Sequence, residues 1–187
     1  MLTCLKWQVD NRTAIFVRHL QLSRAPAPRP LAAIIWPETA TPFRPDASPE
    51  AMQALASVAP AGGYVILGAP LRRQDEDGRE VHTNSLIAVD PAGAIVARYD
   101  KAHLVPGGEY VPFEEILPFG KLVEGRGSFT PGPGLKTIDL PGLPAFSPLI
   151  CYEVIFPGAV AVESERPAFL LNVTNDAWYG ASAGPHQ

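Results

Sequence analysis

The sequence predicts an α/β layered fold built on a mixed sheet, and three observations carry that expectation. Short apolar runs of buried-strand type recur along the chain, among them LAAIIW (31–36), YVILGAP (64–70) and AFLLNVTND (168–176). Two stretches show helical spacing instead. Prolines, 21 in 187 residues, stand mostly beside the apolar runs. Stiff links between short strands use proline in that way, and a helical bundle does not.

DNRTAIFVRHLQLSR (10–24) places Ile15, His19 and Leu22 at helical spacing, and APAPRP (25–30) cannot continue that helix. LAAIIW then reads as a buried strand stopped by Pro37. SPEAMQALASVA (48–59) is a second helix, with Ser48 suited to the N-cap, Pro49 to the first turn and Glu50 to the positive end of the dipole. YVILGAP is a strand, and RRQDEDGRE (72–80) reads as a solvated charged loop. NSLIAVD (84–90) and AIVARYD (94–100) form a hairpin through a Pro-Ala-Gly turn. Residues 104–134 are rich in Gly and Pro and too long for a simple connection. KTIDL and AFSPLIC supply two strands around PGLP, PGAVAVESER (157–166) reads as a helix, and AFLLNVTND is the last strand. No internal repeat or domain boundary interrupts residues 1–187, which are expected to form one domain.

Composition narrows the function. The chain is 47% hydrophobic and 18% charged with a formal net charge of −4, so it has no basic excess for nucleic acid. No apolar run approaches the roughly 20 residues that span a bilayer, and the N-terminus has no apolar core of signal-peptide length. Two cysteines, Cys4 and Cys151, cannot build a disulfide framework. The four histidines (19, 82, 103 and 186) lack clustered ligand spacing, so neither a metal nor a cofactor is assigned.

Three polar residues stand just beyond apolar strands: Glu38, Lys101 and Cys151. Strand ends are where open α/β folds gather their sites. Singly, each has an ordinary explanation, a solvated charge or an inert core thiol. Together they make a set that can transfer an acyl group. Cys151 is the nucleophile candidate, at a strand that turns sharply into a helix, where Lys101 and backbone N–H groups are expected to favour its thiolate. Glu38 can take the thiol proton and return it. Lys101 can steady a tetrahedral oxyanion beside the backbone N–H of Tyr152. A shared site requires the three strands to be neighbours presenting one end.

WPETATP (36–42), YDKAHLVPGGEYVPFEEILPFG (99–120), LICYEVIFPG (149–158) and LLNVTNDAWYGASAGPHQ (170–187) resemble the bacterial apolipoprotein N-acyltransferases, membrane-bound members of the nitrilase superfamily. The likeness extends to KWQVDNRTAIFVRHL near the start. It implies a nitrilase-like α-β-β-α sandwich and a site of Glu38 as general base, Lys101 as oxyanion partner and Cys151 as nucleophile. Glu109 in GGEYVP and Glu153 in CYE match further acidic residues of the family and are expected at the rim of the site or behind it. The implied substrates are a phospholipid acyl donor and an apolipoprotein acceptor.

The family is an inner-membrane one, with its catalytic domain on the periplasmic face and transmembrane helices on both sides of that domain. No such helix can be read here, so the sequence is expected to be a truncated piece, incomplete at both ends. Membrane contact would then run through the missing helices and the apolar 104–120 loop, with Phe113 and Phe119 partly exposed. Missing edges would leave the piece marginally stable. Two other readings use the same residues: a soluble nitrilase-type amidase, and an inactive remnant.

Overall fold

The computed structural model describes residues 9–106, 108–110 and 128–175. Helix α1 (Val9–Ser23) leads through the proline connector to a short strand β1 (Ala33–Ile35). A 3₁₀ turn (Pro45–Ala47) precedes helix α2 (Pro49–Ala56), and the Ser48 hydroxyl caps α2 by accepting from Ala51 N at 3.2 Å. Strands β2 (Tyr64–Gln74), β3 (Glu80–Val89) and β4 (Ile95–Asp100) complete a first sheet in the order β1-β2-β3-β4. Strands β5 (Ile138–Leu140), β6 (Leu143–Ile150) and β7 (Phe169–Val173) form a second sheet in that order. Each sheet is mixed: β1–β2 and β6–β7 pair in parallel, and the other pairings are antiparallel.

Alternation along the strands builds two cores. Val65, Leu67, Ala69, Leu71, Ile87 and Val89 face the helices and pack on Phe16, Leu20, Leu55 and Val58. Residues of opposite parity, Ile66, Leu86, Ala88 and Tyr99, face the second sheet and meet Ile138, Phe146, Ile150, Leu171 and Val173. Helices, first sheet and second sheet are therefore stacked layers, as the α/β reading requires.

Two local expectations need correcting. The charged run 72–80 is not a simple loop, because β2 continues to Gln74 and β3 begins at Glu80. Only the tip is a turn, held by Asp75 Oδ1 accepting from the backbone N–H groups of Asp77 and Arg79 at 3.0 and 2.8 Å. Charges on an extended hairpin end are solvated just as well as in a loop, so composition did not separate the two. The segment 157–166 is not a helix. Gly158 takes φ +76, and the chain runs through i→i+3 turns at Phe156–Ala159 and Val162–Glu165. Its carbonyls go instead to the sheet, Val160 O accepting from Ser147 Oγ at 2.7 Å and Glu165 O from Thr137 Oγ1 at 2.8 Å. Tertiary partners override a weak helical propensity between Pro157 and Pro167.

The backbone just beyond β1 matters most for the site. Residues 36–40 stay beside β2: Trp36 N donates to Ile66 O at 2.8 Å, and Ala40 N to Gly68 O at 2.9 Å. A Cβ on residue 68 would stand 2.6 Å from Glu38 Cα and 2.8 Å from Thr39 N. Only glycine lets Glu38 lie this close over the sheet. Gly68→Ala is therefore expected to cost about 1–3 kcal/mol, the usual range for forcing extra volume into a packed core. The denaturation midpoint in urea reads this directly, and an unshifted midpoint would show that the segment 36–40 can yield.

Candidate active site

β1 runs parallel to β2, and two successive antiparallel pairings bring β4 into the same direction. The C-terminal ends of β1 and β4 therefore open on one side of the first sheet, and Glu38 and Lys101 lie just past those ends. Their strands are not neighbours, contrary to expectation: β1 and β4 are the sheet's two edges, and Cys151 comes from β6 in the other sheet. The gap is closed by backbone that leaves the strands. Glu38 is carried inward over Gly68, and Lys101 N donates to Asn84 O at 2.8 Å, continuing β4 beside β3. Gly132 N donates to Lys101 O at 2.8 Å and holds the same residue from the far side.

The polar groups form one buried network. Asn84 Nδ2 donates to Glu38 Oε1 at 2.8 Å and to Glu109 Oε1 at 2.7 Å. Glu109 Oε2 pairs with Lys101 Nζ at 2.8 Å and accepts from Val105 N at 2.9 Å. Lys101 is 1% exposed, Glu38 4% and Asn84 5%. Glu109, expected at the rim of the site or behind it, lies within the network against Lys101. Burial raises the Glu38 pKa above the ordinary carboxylate range; the Asn84 hydrogen bond and Lys101 pull it down without winning, and Glu109 adds to the rise.

Cys151 ends β6 and opens a 3₁₀ helix (Cys151–Ile155). It adopts φ +54, a left-handed conformation unusual for a side-chain-bearing residue. Such a bend lifts the thiol out of the strand, and the side chain is half-buried. Burial pushes the thiol pKa up, and the Glu38 and Glu109 charges push the same way. A hydrogen bond from Thr174 and the charge of Lys101 lower it but do not prevail. Lys101 favours the thiolate, the direction expected of it, but burial outweighs it and the net shift of the thiol is upward.

Glu153, fully buried, holds the turn. Its Oε1 accepts from Tyr99 Oη at 2.8 Å and from the backbone N–H of Ala102 and His103 at 2.8 and 3.0 Å. Its Oε2 accepts from Ile150 N at 2.8 Å. One carboxylate thus ties the backbone before Cys151 to the backbone after Lys101. Burial first, then Glu153, raises the Tyr99 phenol far above its usual range, so Tyr99 serves as a donor. Tyr152 turns outward, its ring 5.6 Å from that of Phe156 in an edge-to-face contact.

Sequence reasoning missed Asn84, Tyr99 and Thr174. Asn84 left a signal, an amide at an inward position of NSLIAVD in register with Leu86 and Ala88. Cys4, Phe113, Phe119 and the NDAWYG–GPHQ stretch after Asn175 lie outside the described residues, as does most of the 104–134 loop.

A thiol beside a buried carboxylate–ammonium network, between two mixed sheets, has the parts needed for acyl transfer through a covalent enzyme intermediate. The chain belongs to the carbon-nitrogen hydrolase family, which matches residues 5–187. It is 38% identical over 193 residues to the apolipoprotein N-acyltransferase of Bradyrhizobium diazoefficiens, covering 97% of this chain and 36% of that protein. The apolipoprotein N-acyltransferase of Brucella suis is 40% identical over 191 residues, covering 98% of this chain and 36% of that protein. The chain thus spans about a third of the length of these curated relatives.

Among solved structures, it is similar to a CN-hydrolase superfamily protein of Xanthomonas campestris with an arsenic adduct in its active site. That match has 22% identity and a TM-score of 0.59, over 94% of this chain and 63% of that one. A carbon-nitrogen hydrolase of Helicobacter pylori matches at 15% identity and a TM-score of 0.60, over 87% and 55%. These two likenesses speak for the fold.

The raised Glu38 pKa has a consequence for stability. Between the unfolded and folded pKa values the native chain binds more protons than the unfolded one, so stability falls as pH rises through that window. At alkaline pH the buried charge is a net cost. Glu38→Gln keeps the shape and an acceptor for Asn84, so it is expected to raise the melting temperature at pH 8. The gain should vanish toward pH 4. Parallel melting curves of the two chains across that range check the sign.

Proposed function

We propose that this chain is the catalytic part of an apolipoprotein N-acyltransferase, with Cys151, Glu38 and Lys101 as its catalytic residues. The observation that carries the proposal is the buried network of Glu38, Asn84, Glu109 and Lys101, whose charges bear on a half-buried Cys151 thiol with a raised pKa. Glu38 accepts the thiol proton as sulfur attacks the acyl ester of a phospholipid. The negative oxygen of the tetrahedral intermediate is met by Lys101 and the Tyr152 N–H. The intermediate collapses, Glu38 returns the proton to the departing lysophospholipid oxygen, and a thioester remains on Cys151. The amine of a diacylglyceryl-cysteine apolipoprotein then attacks the thioester carbonyl. Glu38 takes a proton from the nitrogen, an amide forms, and the sulfur regains its proton. Glu109 keeps Lys101 in place, and Glu153 fixes both backbones.

Acyl transfer from lipid is favoured over hydrolysis of a small amide by the relatives' names and by the surroundings of the thiol. Tyr152, Val154 and Ile155, immediately after Cys151, are 43%, 44% and 50% exposed. Apolar groups exposed around a nucleophile suit an acyl chain better than a small polar amide. In this reading residues 1–187 act as a single catalytic domain, delivered to a membrane surface by other means than its own described helices, none of which is long and apolar enough to cross one.

The test is an acyl-enzyme assay on the full-length protein bearing this domain. Phospholipid alone should leave a hydroxylamine-sensitive thioester on Cys151, seen by intact mass before any apolipoprotein is added. Cys151→Ala should abolish both adduct and transfer, and Cys4→Ala neither. Glu38→Gln should slow adduct formation by about 10²–10⁴-fold, the usual size of a lost general base. Lys101→Met should cost about 10²–10³-fold through loss of oxyanion stabilisation. An adduct that survives Cys151→Ala would overturn the assignment.

A further inference from the structure

The network contains four carboxylate oxygens, and their partners are unequal. Glu109 Oε2 is held by Lys101 Nζ and Val105 N, while Glu109 Oε1 and Glu38 Oε1 each accept from Asn84 Nδ2. Glu38 Oε2 is buried and takes no hydrogen bond from Asn84 or Lys101; the Asn175 backbone, which lowers the Glu38 pKa, is the last of the influences on that carboxyl.

An amide nitrogen has two protons and no lone pair to offer, so Asn84 Nδ2 commits both donors to the two carboxylates and can accept nothing from them in return. Turning the amide over would set its oxygen against two carboxylate oxygens, which fixes the orientation. We propose that Asn84 is a positioning residue for proton transfer: by donating to Oε1 of both glutamates, it keeps those oxygens as acceptors and leaves Glu38 Oε2 as the atom that takes and returns the Cys151 proton.

The covalent geometry fits this division. A carboxyl group accepts best on its carbonyl oxygen and donates from its hydroxyl oxygen, so a fixed donor at Oε1 directs the incoming proton to Oε2. The charged and titratable groups facing Glu38 are Lys101 from the end of β4, Glu109 from the segment after it, and Cys151 from the end of β6. Asn84, on β3 between them, is the neutral group that touches both carboxylates. Without its donors, two buried acceptors would face each other with a single ammonium, and the proton could rest on any of three oxygens.

The inference rests on Glu38 being the base, and the experiment separates the two. The rate of Cys151 alkylation by iodoacetamide is measured against pH and read on the Cys151 peptide by mass, so that Cys4 does not contribute. It needs neither lipid nor apolipoprotein. The native chain should show an acid limb set by Glu38, and Glu38→Gln should lose it. Asn84→Asp keeps the shape but replaces donors with a third acidic group; Asn84→Leu keeps the bulk and removes the donors. Both should move the limb to higher pH and slow alkylation on it by about tenfold, the size of one lost hydrogen bond to a charged group. A structural role alone would lower the melting temperature and leave the limb where it was. If Glu38→Gln removes the limb while Asn84→Asp overlays the native profile, the role of Asn84 is overturned and the base remains. If Glu38→Gln keeps the limb, the base assignment falls and the Asn84 proposal with it.

Discussion

Lys101 buries an ammonium almost completely, and much of the site can be understood as the consequence. A charge taken out of water costs several kcal/mol unless a partner and further hydrogen bonds replace its hydration. Glu109 is that partner, at 2.8 Å, and its own second oxygen then needs a donor. Asn84 provides one and extends the network to Glu38, whose carboxylate would otherwise be a second buried anion with nothing beside it. With two carboxylates and one ammonium in a dry space, the network has an excess of negative charge. Burial is the first cause of both upward shifts; the Glu109 charge adds to the rise at Glu38, and the Glu38 and Glu109 charges add to it at Cys151.

The two upward shifts belong together. Moving a proton from the thiol to the Glu38 carboxylate leaves the total charge of the site unchanged, so the transfer buries no additional charge. A fixed thiolate would need a strong local cation, and Lys101 is already committed to Glu109. In the proposed mechanism the arrangement therefore favours a nucleophile made on demand by its base over one stored as an anion. Glu153 serves a different purpose with the same chemical group. Its four hydrogen bonds, one from Tyr99 and three from backbone N–H groups, replace the ladder that ends where β4 and β6 stop. Loops this irregular would otherwise bury unsatisfied amides.

The sequence made the strands legible where short apolar runs were bounded by turn residues, as in β2, β3 and β6, and it made both helices legible through spacing and the Ser48 cap. It misled where charge density was read as a loop, at 72–80, and where a short run of moderate helix formers was read as a helix, at 157–166. In both cases long-range partners decided: strand pairing for the first, Ser147 and Thr137 for the second. The residues after strand ends were visible as candidates because strand ends are few. Their meeting was not, because it depends on β1 and β4 sharing a direction across two intervening strands, and on the second sheet bringing Cys151 over them. Asn84 could have been singled out as a polar side chain in a buried strand, but its partners, 46 and 25 residues away, could not.

Gly68 shows how tightly the backbone and the chemistry are joined. The segment 36–40 has to pass close over β2 for Glu38 to reach Asn84, and any side chain at 68 would push it away. Thr39, next in the chain, takes φ +50, so the backbone bends sharply just as it delivers the carboxylate. Cys151 does the same at the end of β6 with φ +54. The proposed base and nucleophile are thus each delivered at a left-handed kink, one facing a glycine and the other braced by Glu153. Left-handed backbone is costly for residues with side chains, and it persists where surrounding contacts over-determine it. Here those contacts are the hydrogen bonds from Trp36 and Ala40 to β2 on one side, and from Ile150 to Glu153 on the other. The rigid sheets hold both bends, so the reacting groups are positioned by main chain rather than by flexible side-chain reach.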